Sequence, residues 1–423
     1  GRRCAAVLGA GCVARARAEI WAAGIGQVPR RKGRYEAFLH QCGDSYGDWR
    51  RARVLPGLGG GGRRHSGRTG LILHLSGIAL ENLWHLLHVV LPALARLDRP
   101  LPAHTELIID GLQDEVASTE PKGLSKLVRS SLGWRFLQLF SDLDPIVLGE
   151  SPASGPELLC FEQLLWGHEA VTLFGRDKGG LDRAAARRAV GVVAASPLFA
   201  TATSRASLDA RFFLGSGADI GTGNGASRPL GHHPWRLLYV MRPQNTKRLV
   251  ENEASVADLL QRLADDGRAL VARADFAGEE LALDAAAQWW LASMSDVLVG
   301  PHGMGLAWSA FMAEGRVLVE LMPHMRSLDR QLCRRSATGS RWDATPMYAY
   351  GGLAQMMGLR HVCIVGEPLE DGQQGSGLAF ELGAWHSSAI RADVAALESE
   401  LEAAFEWLEG ERAGGRLAEE GHS

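Results

Sequence analysis

The chain has 423 residues, of which 46% are hydrophobic and 22% charged, and its formal net charge is -3 at pH 7. That is the balance of a soluble globular protein with room for about two or three domains. The near-neutral charge argues against nucleic acid or an anionic membrane as the main partner. No apolar run reaches the roughly 18 residues of a membrane span, and no membrane anchor is visible. The six cysteines, Cys4, Cys12, Cys42, Cys160, Cys333 and Cys363, show no CxxC spacing. A zinc site is therefore not expected, while disulfides are compatible with the pattern.

Residues 1–67 read as an irregular extension that ends in the glycine-rich GLGGGGRRHSG, residues 57–67. Near its start, CAAVLGAGCVARA carries G-x-G-x-x-A at Gly9, Gly11 and Ala14, a near match to the dinucleotide fingerprint. Glu36 is the nearest acid that suits a ribose, and no clear second strand leads to it. A chance match in a chain rich in Gly and Ala is the stronger reading, with an NAD-dependent oxidoreductase as the alternative.

Residues 68–232 form the first structured block with its linker. LILHLS (71–76) reads as a strand and ALENLWHLLHVVLPALARL (79–97) as a buried helix that Pro92 should kink or end. ELIID (106–110) is a strand ending in Asp110, KGLSKLVRSSLGW a helix, and DPIVLG (144–149) a strand. This alternation marks a parallel α/β sheet. GSGADIGTGNGASRPLGHH (215–233) reads as a linker.

Residues 233–423 repeat the rhythm. Strands are expected at RLLYVMR, ALVARAD, DVLVG and RVLVELMP, and helices at NEASVADLLQRLADDG, DAAAQWWLASMS, GLAWSAFMAEG and RADVAALESELEAAFEWLEG. The fold class is α/β, two Rossmann-like lobes facing across a cleft. Ligands in such sheets bind beyond the carboxyl ends of the strands.

One such end is DVLVG-PHGMG-LAWSAF, where a strand meets a helix N-terminus that favours an anion. Gly303 and Gly305 let a ligand approach the backbone, and His302 can donate to a phosphate oxygen. Glu320 ends the next strand near the same rim, where a carboxylate suits ribose hydroxyls. In MRPQNTKRLVENE (241–253), Arg242 and Arg248 face the same cleft and suit a diphosphate. Asn252 reads as an N-cap and Glu253 as a first-turn acid. In the first block His85 and His88 lie three apart on one helix face, without HExxH spacing. DLD at 142–144 precedes a strand and reads as ordinary surface acids, so no metal site is expected.

These segments resemble glycosyltransferase family 61. GPHGMGL followed by VLVELMP is similar to its HGAGL…VVEL(F)P signature, and four further segments fall in the family's order: NLWHLLHVVLP, CFEQLLWG, YVMRPQNTKRLVENE and YGGLAQMMGL. The resemblance spans about residues 70–365. The family includes the O-GlcNAc transferase acting on EGF domains, the O-mannose GlcNAc transferase, and plant xylosyl- and arabinosyltransferases.

The resemblance implies a GT-B type fold with a nucleotide-sugar donor on the C-terminal lobe. It implies inverting, metal-independent transfer of GlcNAc or a pentose such as xylose from a UDP-sugar to a hydroxyl of a glycan or glycoprotein, with no cofactor. It also implies the Golgi or ER lumen. Motif positions in the donor lobe are Arg242, Arg248, Asn252, Glu253, His302, Gly303, Gly305 and Glu320; on the acceptor side they are Asn82, Trp84 and His85. His85 is the expected catalytic base, because an imidazole suits that task near neutral pH, and Asp110 is the second candidate. Met304 and Trp308 depart from the family pattern and are expected to narrow the donor site. A non-catalytic nucleotide-sugar or glycan-binding relative is the alternative within the family.

Overall fold

The computed structural model describes residues 5–14, 19–22, 53–56, 63–75, 80–95, 105–110, 131–141, 143–148, 158–168, 183–195, 234–242, 247–278, 281–282, 284–324, 349–369 and 388–414. The chain divides into two compact units, Gly1–Ala202 with Leu283–Ala286, and Thr203–Ala282 with Ala287–Ser423.

The first unit holds a seven-stranded sheet built from β1 (Ala5–Ala14), β2 (Glu19–Ala22), β3 (Arg53–Pro56), β4 (Arg63–His74), β5 (Glu106–Asp110), β6 (Ile146–Val147) and β7 (Leu158–His168). Its order is β3-β2-β1-β7-β4-β5-β6. Strands β7, β4, β5 and β6 run parallel, as the β-α-β-α-β alternation requires. Leu71, Ile72 and Leu73 on β4 are buried in succession, as are Leu107, Ile108 and Ile109 on β5. Consecutive buried residues mean that both faces of these strands are covered.

Helix α1 (Leu83–Leu94) follows β4 and packs on β7 and on α3 (Arg183–Ala194). It starts where Asn82, in extended conformation, accepts the Trp84 N–H on its side chain. The helix continues through Pro92 to its C-cap at Ala95, so of the two expected effects of the proline, a kink or an end, it does not end the helix. Helix α2 (Leu132–Leu137) overlaps the end of the expected KGLSKLVRSSLGW helix, whose residues 122–130 lie, with the rest of 111–130, outside the described ones.

The stretch with the near-dinucleotide pattern is one continuous strand. β1 runs from Ala5 through Gly9, Gly11 and Ala14, antiparallel to β7 and β2, with irregular register around the two glycines. A phosphate-binding fingerprint needs a strand, a tight turn and a helix N-terminus. From Gly9 to Ala14 the backbone stays extended, with neither the turn nor the helix start, so the NAD reading fails on geometry. Strand also occupies part of the 1–67 segment expected to be irregular; residues 57–62 and the expected linker 215–233 lie outside the described ones.

The second unit is a five-stranded, all-parallel sheet of β8 (Trp235–Met241), β9 (Ala269–Asp275), β10 (Val297–Pro301), β11 (Val317–Met322) and β12 (Arg360–Val365). The helical elements between them are α4 (Glu253–Asp265), α5 (Ala285–Met294), a 3-10 helix (Met304–Phe311) and α6 (Ala349–Met357), with α7 (Val394–Ala413) closing the unit. The segment expected as an α-helix after His302 is thus a tighter 3-10 helix. Val256, Leu259, Leu260 and Leu263 of α4 share one core with Leu397, Leu401, Phe405 and Leu408 of α7 and with Val297, Val299, Val317 and Val319 of the sheet. Alternate residues Leu298 and Leu318 point to the other face and are equally buried. Gly267, at φ 67, ends α4: its N–H donates to Ala264 and that of Arg268 to Leu263, the Schellman pattern.

The strand order is β12-β11-β10-β8-β9. Numbered within the unit this is the doubly wound order 2-1-3-4-5, whose direction reverses between its first and third strands, β8 and β10. The crevice outside their carboxyl ends is where such sheets bind ligands. Among the described residues, no helix is long and apolar enough to cross a membrane.

Candidate functional site

At this switch point Arg242 follows β8 and His302 follows β10. The two are joined. The Arg242 guanidinium donates through Nη2 to the His302 carbonyl at 3.3 Å and through Nη1 to the Lys247 carbonyl at 2.7 Å. It therefore braces the turn and the 247–248 segment together. His302 also continues the ladder, donating its N–H to Leu321 at 2.9 Å.

The glycines of the turn are dictated by these neighbours. A Cβ on residue 303 would lie 1.6 Å from Arg242 Nη2, and one on residue 305 would lie 2.7 Å from Val240 Cγ1. Gly303 thus leaves room for a guanidinium, and Gly305 for the end of β8.

The His302 imidazole is held by its Nδ1 against Glu320 Oε1. Glu320 Oε2 meets His361 Nε2 at 2.8 Å. Burial alone would raise the Glu320 pKa; the two imidazoles outweigh it and hold the carboxyl at about 2. The Tyr350 ring stands edge-on to the His302 ring, with centroids 5.1 Å apart. Burial pushes the Tyr350 hydroxyl upward, so it remains a neutral phenol at neutral pH.

Arg248 completes the cluster. It is the one described non-glycine residue with positive φ, at 61°. Left-handed backbone at such a residue costs about 1–3 kcal/mol and persists where surrounding contacts over-determine it. Burial lowers the pKa of both arginines, Arg242 to about 10, and the nearby Arg248 charge lowers that of Arg242 further. Both guanidinium groups remain charged at neutral pH. The acid coupled to this cluster, Glu320, already faces two imidazoles. The cluster therefore presents net positive charge at a strand-end crevice, which is chemistry for an anion.

Three expected donor residues stand elsewhere. Glu320 is not at the rim: it is 0% exposed and both carboxylate oxygens are engaged, so it reaches a ligand only through His302. Asn252 makes no side-chain cap; its amide donates to the Ala392 carbonyl and accepts the Ala392 N–H, both at 2.8 Å. It ties the start of α4 to the approach to α7. Glu253 accepts from the Tyr239 hydroxyl at 2.7 Å and lies 3.7 Å from Arg273. Burial raises its pKa.

Trp308 does not line the turn. It is fully buried and donates its indole N–H to Gln288 at 2.7 Å, while Gln288 donates to the Phe276 and Leu281 carbonyls. An eight-residue 3-10 helix turns Trp308 inward as core; Met304 remains half-buried at the start of that helix.

In the first unit, Asn82 is the cap of α1, and Trp84 and His85 are half-buried in its first turn. The His88 side chain lies outside the described residues. Asp110 ends β5 in register with His74 of β4, which pairs in turn with His168 of β7. Asp144 is exposed and Asp142 lies outside the described residues. Among the described residues, no group of three or more His, Cys, Asp or Glu is arranged to hold a metal ion.

In the sequence Tyr350 lies in YGGLAQMMGL with no local sign of a role, and nothing there singles out His361. The local signal at His361 is a lone imidazole in the strand RHVCIV. Its significance needs the topology: β12 lies beside β11, with His361 opposite Leu318 and Cys363 opposite Glu320. The two-residue period then places His361 and Glu320 on one face.

The family model for glycosyltransferase 61 matches residues 83–319. The chain belongs to glycosyltransferase family 61, and it is a glycosyltransferase enzyme. Family membership implies a nucleotide-sugar donor and a glycan acceptor. The match includes Arg242, Arg248 and His302 and stops one residue short of Glu320. No curated protein matches the sequence.

Proposed function

We propose that this enzyme transfers GlcNAc or a pentose such as xylose from a UDP-sugar to a hydroxyl of a glycan or glycoprotein, with inversion and without a metal ion. The carrying observation is the cationic cluster of Arg242, Arg248 and His302 at the β8/β10 switch point. It suits the diphosphate of the donor, whose ground-state charge it would bind and whose developing charge it would stabilise as the sugar departs. The GT-B pairing of a donor lobe, 233–423, with an acceptor lobe, 68–232, belongs to the same reading.

In this mechanism the acceptor oxygen attacks the anomeric carbon from the face opposite the diphosphate. The new C–O bond forms as the bond to the phosphate oxygen breaks, and UDP leaves with the bonding electrons. The acceptor proton passes to a base on the first unit. His85 is the proposed base and Asp110 the second candidate. Asn82 and Trp84 belong to the acceptor side, with Asn82 acting through the start of α1.

Cys160 and Cys363 each take part in a disulfide. Disulfides persist in oxidising compartments, which supports the lumen of the Golgi or ER.

The test is calorimetric titration with a panel of UDP-sugars and with NADH, without added metal, repeated on His302→Ala and Arg248→Ala. UDP-sugar binding weakened by both substitutions is expected. NADH binding that neither change affects would overturn the reading. For the base, His85→Ala should bind donor normally and lose turnover; unchanged turnover returns the role to Asp110.

A further inference from the structure

Glu320 is a carboxylate with an imidazole on each oxygen, inside a parallel sheet. His302 and His361 are themselves nearly buried, with 8% and 9% of their side chains exposed. Nothing about packing demands this trio. Replacing buried ionic groups by apolar residues of similar volume is often neutral or stabilising.

The hydrogen bonds fix protons. An ionised Glu320 only accepts, so each imidazole must donate to it: His302 from Nδ1 and His361 from Nε2. Without the second donor, Oε2 would be a buried, unpaired carboxylate oxygen, and Glu320 would move toward its protonated form. A protonated Glu320 no longer requires a proton on His302 Nδ1. The tautomer of His302 thus depends on His361 through the carboxylate they share.

We propose that His361 is a positioning residue for His302: through Glu320 it keeps the proton of the His302 ring on Nδ1. Among the described residues, Arg242 after β8, Glu320 of β11 and Tyr350 of α6 face His302, while Arg248 acts electrostatically on Arg242 and Tyr350, and His361 of β12 meets the far oxygen of Glu320. The 3-10 helix, MGLAWSAF, carries no titratable side chain. Glu320 thus acts on the His302 ring at Nδ1, while Arg242 acts on the His302 carbonyl. The inference deepens the donor-site reading, but its first readout does not depend on that reading.

The experiment compares the full chain with His361→Leu and His361→Gln. Glutamine retains an N–H donor and cannot titrate; leucine supplies no donor. Long-range proton–nitrogen spectra of histidine-labelled protein report the tautomer of each ring, and His302→Gln assigns the His302 signals. The expected result is the Nδ1–H form of neutral His302 in the unchanged chain and in His361→Gln, with the Nε2–H form gained in His361→Leu. UDP titration is the second readout: about a tenfold or greater loss of affinity in His361→Leu, and affinity retained in His361→Gln, as for other residues that orient a contacting imidazole.

A folded His361→Leu protein whose His302 tautomer is unchanged overturns the proposal. If His361→Leu does not fold, His361→Gln and Glu320→Gln carry the test: His302 must hold its Nδ1–H form in the first and lose it in the second, and any other pattern overturns the proposal. If the tautomers behave as expected while the unchanged chain does not bind UDP, the positioning role stands and the donor-site reading fails.

Discussion

Arg242 occupies the space that any side chain on Gly303 would need: a Cβ there would stand 1.6 Å from its Nη2. The same guanidinium bridges the Lys247 and His302 carbonyls. Gly303→Ala should therefore displace Arg242 and loosen both ends of the site. Forcing a methyl group into filled space costs about 1–3 kcal/mol, readable in urea melts. UDP affinity should fall with it. The Gly303→Ala/Arg242→Ala pair should bind UDP no more weakly than Arg242→Ala alone, because both act on one contact. Additive losses would show that Gly303 serves the ligand directly.

Asn252 calls for the opposite signature. Its amide makes a two-bond bridge to the backbone of Ala392. Asn252→Ala leaves a donor and an acceptor of a half-buried segment unpaired, a loss of about 1–3 kcal/mol in chemical denaturation. UDP affinity of the folded fraction should not change. Asn252→Asp should be intermediate or worse in stability, since it keeps the acceptor and loses the donor. A stable Asn252→Ala protein with weakened UDP binding would return Asn252 to the donor site.

Local patterns in the sequence carry the second unit well. The strand ALVARAD coincides with β9, and DVLVG and RVLVELMP fall on β10 and β11 within a residue or two. Each is a short apolar run between clear stop signals, and β10 and β11 are buried along their whole length while the edge strand β9 exposes Arg273. The His302 turn was legible for the same reason: an apolar strand ends in glycine before a second apolar run. What stayed hidden depends on pairing across the sheet. Glu320 looks like an exposed strand-end acid until β12 supplies His361 beside it. Trp308 looks like part of the turn until the 3-10 geometry sends it into the core. β1 looks like a nucleotide loop because Gly and Ala are neutral letters; only its pairing with β7 shows an extended backbone.

Acid should weaken the site in a defined window. The Glu320 carboxyl stands at about 2 in the folded chain against an ordinary 4.5. A depressed carboxyl adds stability above its unfolded pKa and loses it as pH falls toward the folded one. Burial shifts Asp296 and Glu253 upward, which acts with the opposite sign, so total stability against pH mixes these contributions. The difference between the unchanged chain and Glu320→Gln isolates one of them. That difference should be constant above about pH 4.5 and shrink steadily toward pH 2. A difference independent of pH across this range would show that Glu320 is not held ionised by its two histidines.

Sugar selectivity should depend on Met304 and not on Trp308. Trp308 is fully buried, and its indole N–H meets Gln288, which in turn holds the Phe276 and Leu281 carbonyls. Trp308→Phe keeps the aromatic bulk and leaves the Gln288 carbonyl oxygen unpaired in the interior. A loss of about 1–3 kcal/mol is expected in thermal or urea unfolding. The ratio of turnover with UDP-GlcNAc to turnover with UDP-xylose should be unaltered, because no atom of Trp308 reaches solvent at the turn. Met304 is different: it is half-buried and stands one residue from each glycine of the turn. Met304→Ala opens space beside His302 at little cost to the core, so the ratio should move toward the larger sugar. A ratio that follows Trp308 and ignores Met304 would place the sugar against the far side of the 3-10 helix, away from the arginine cluster.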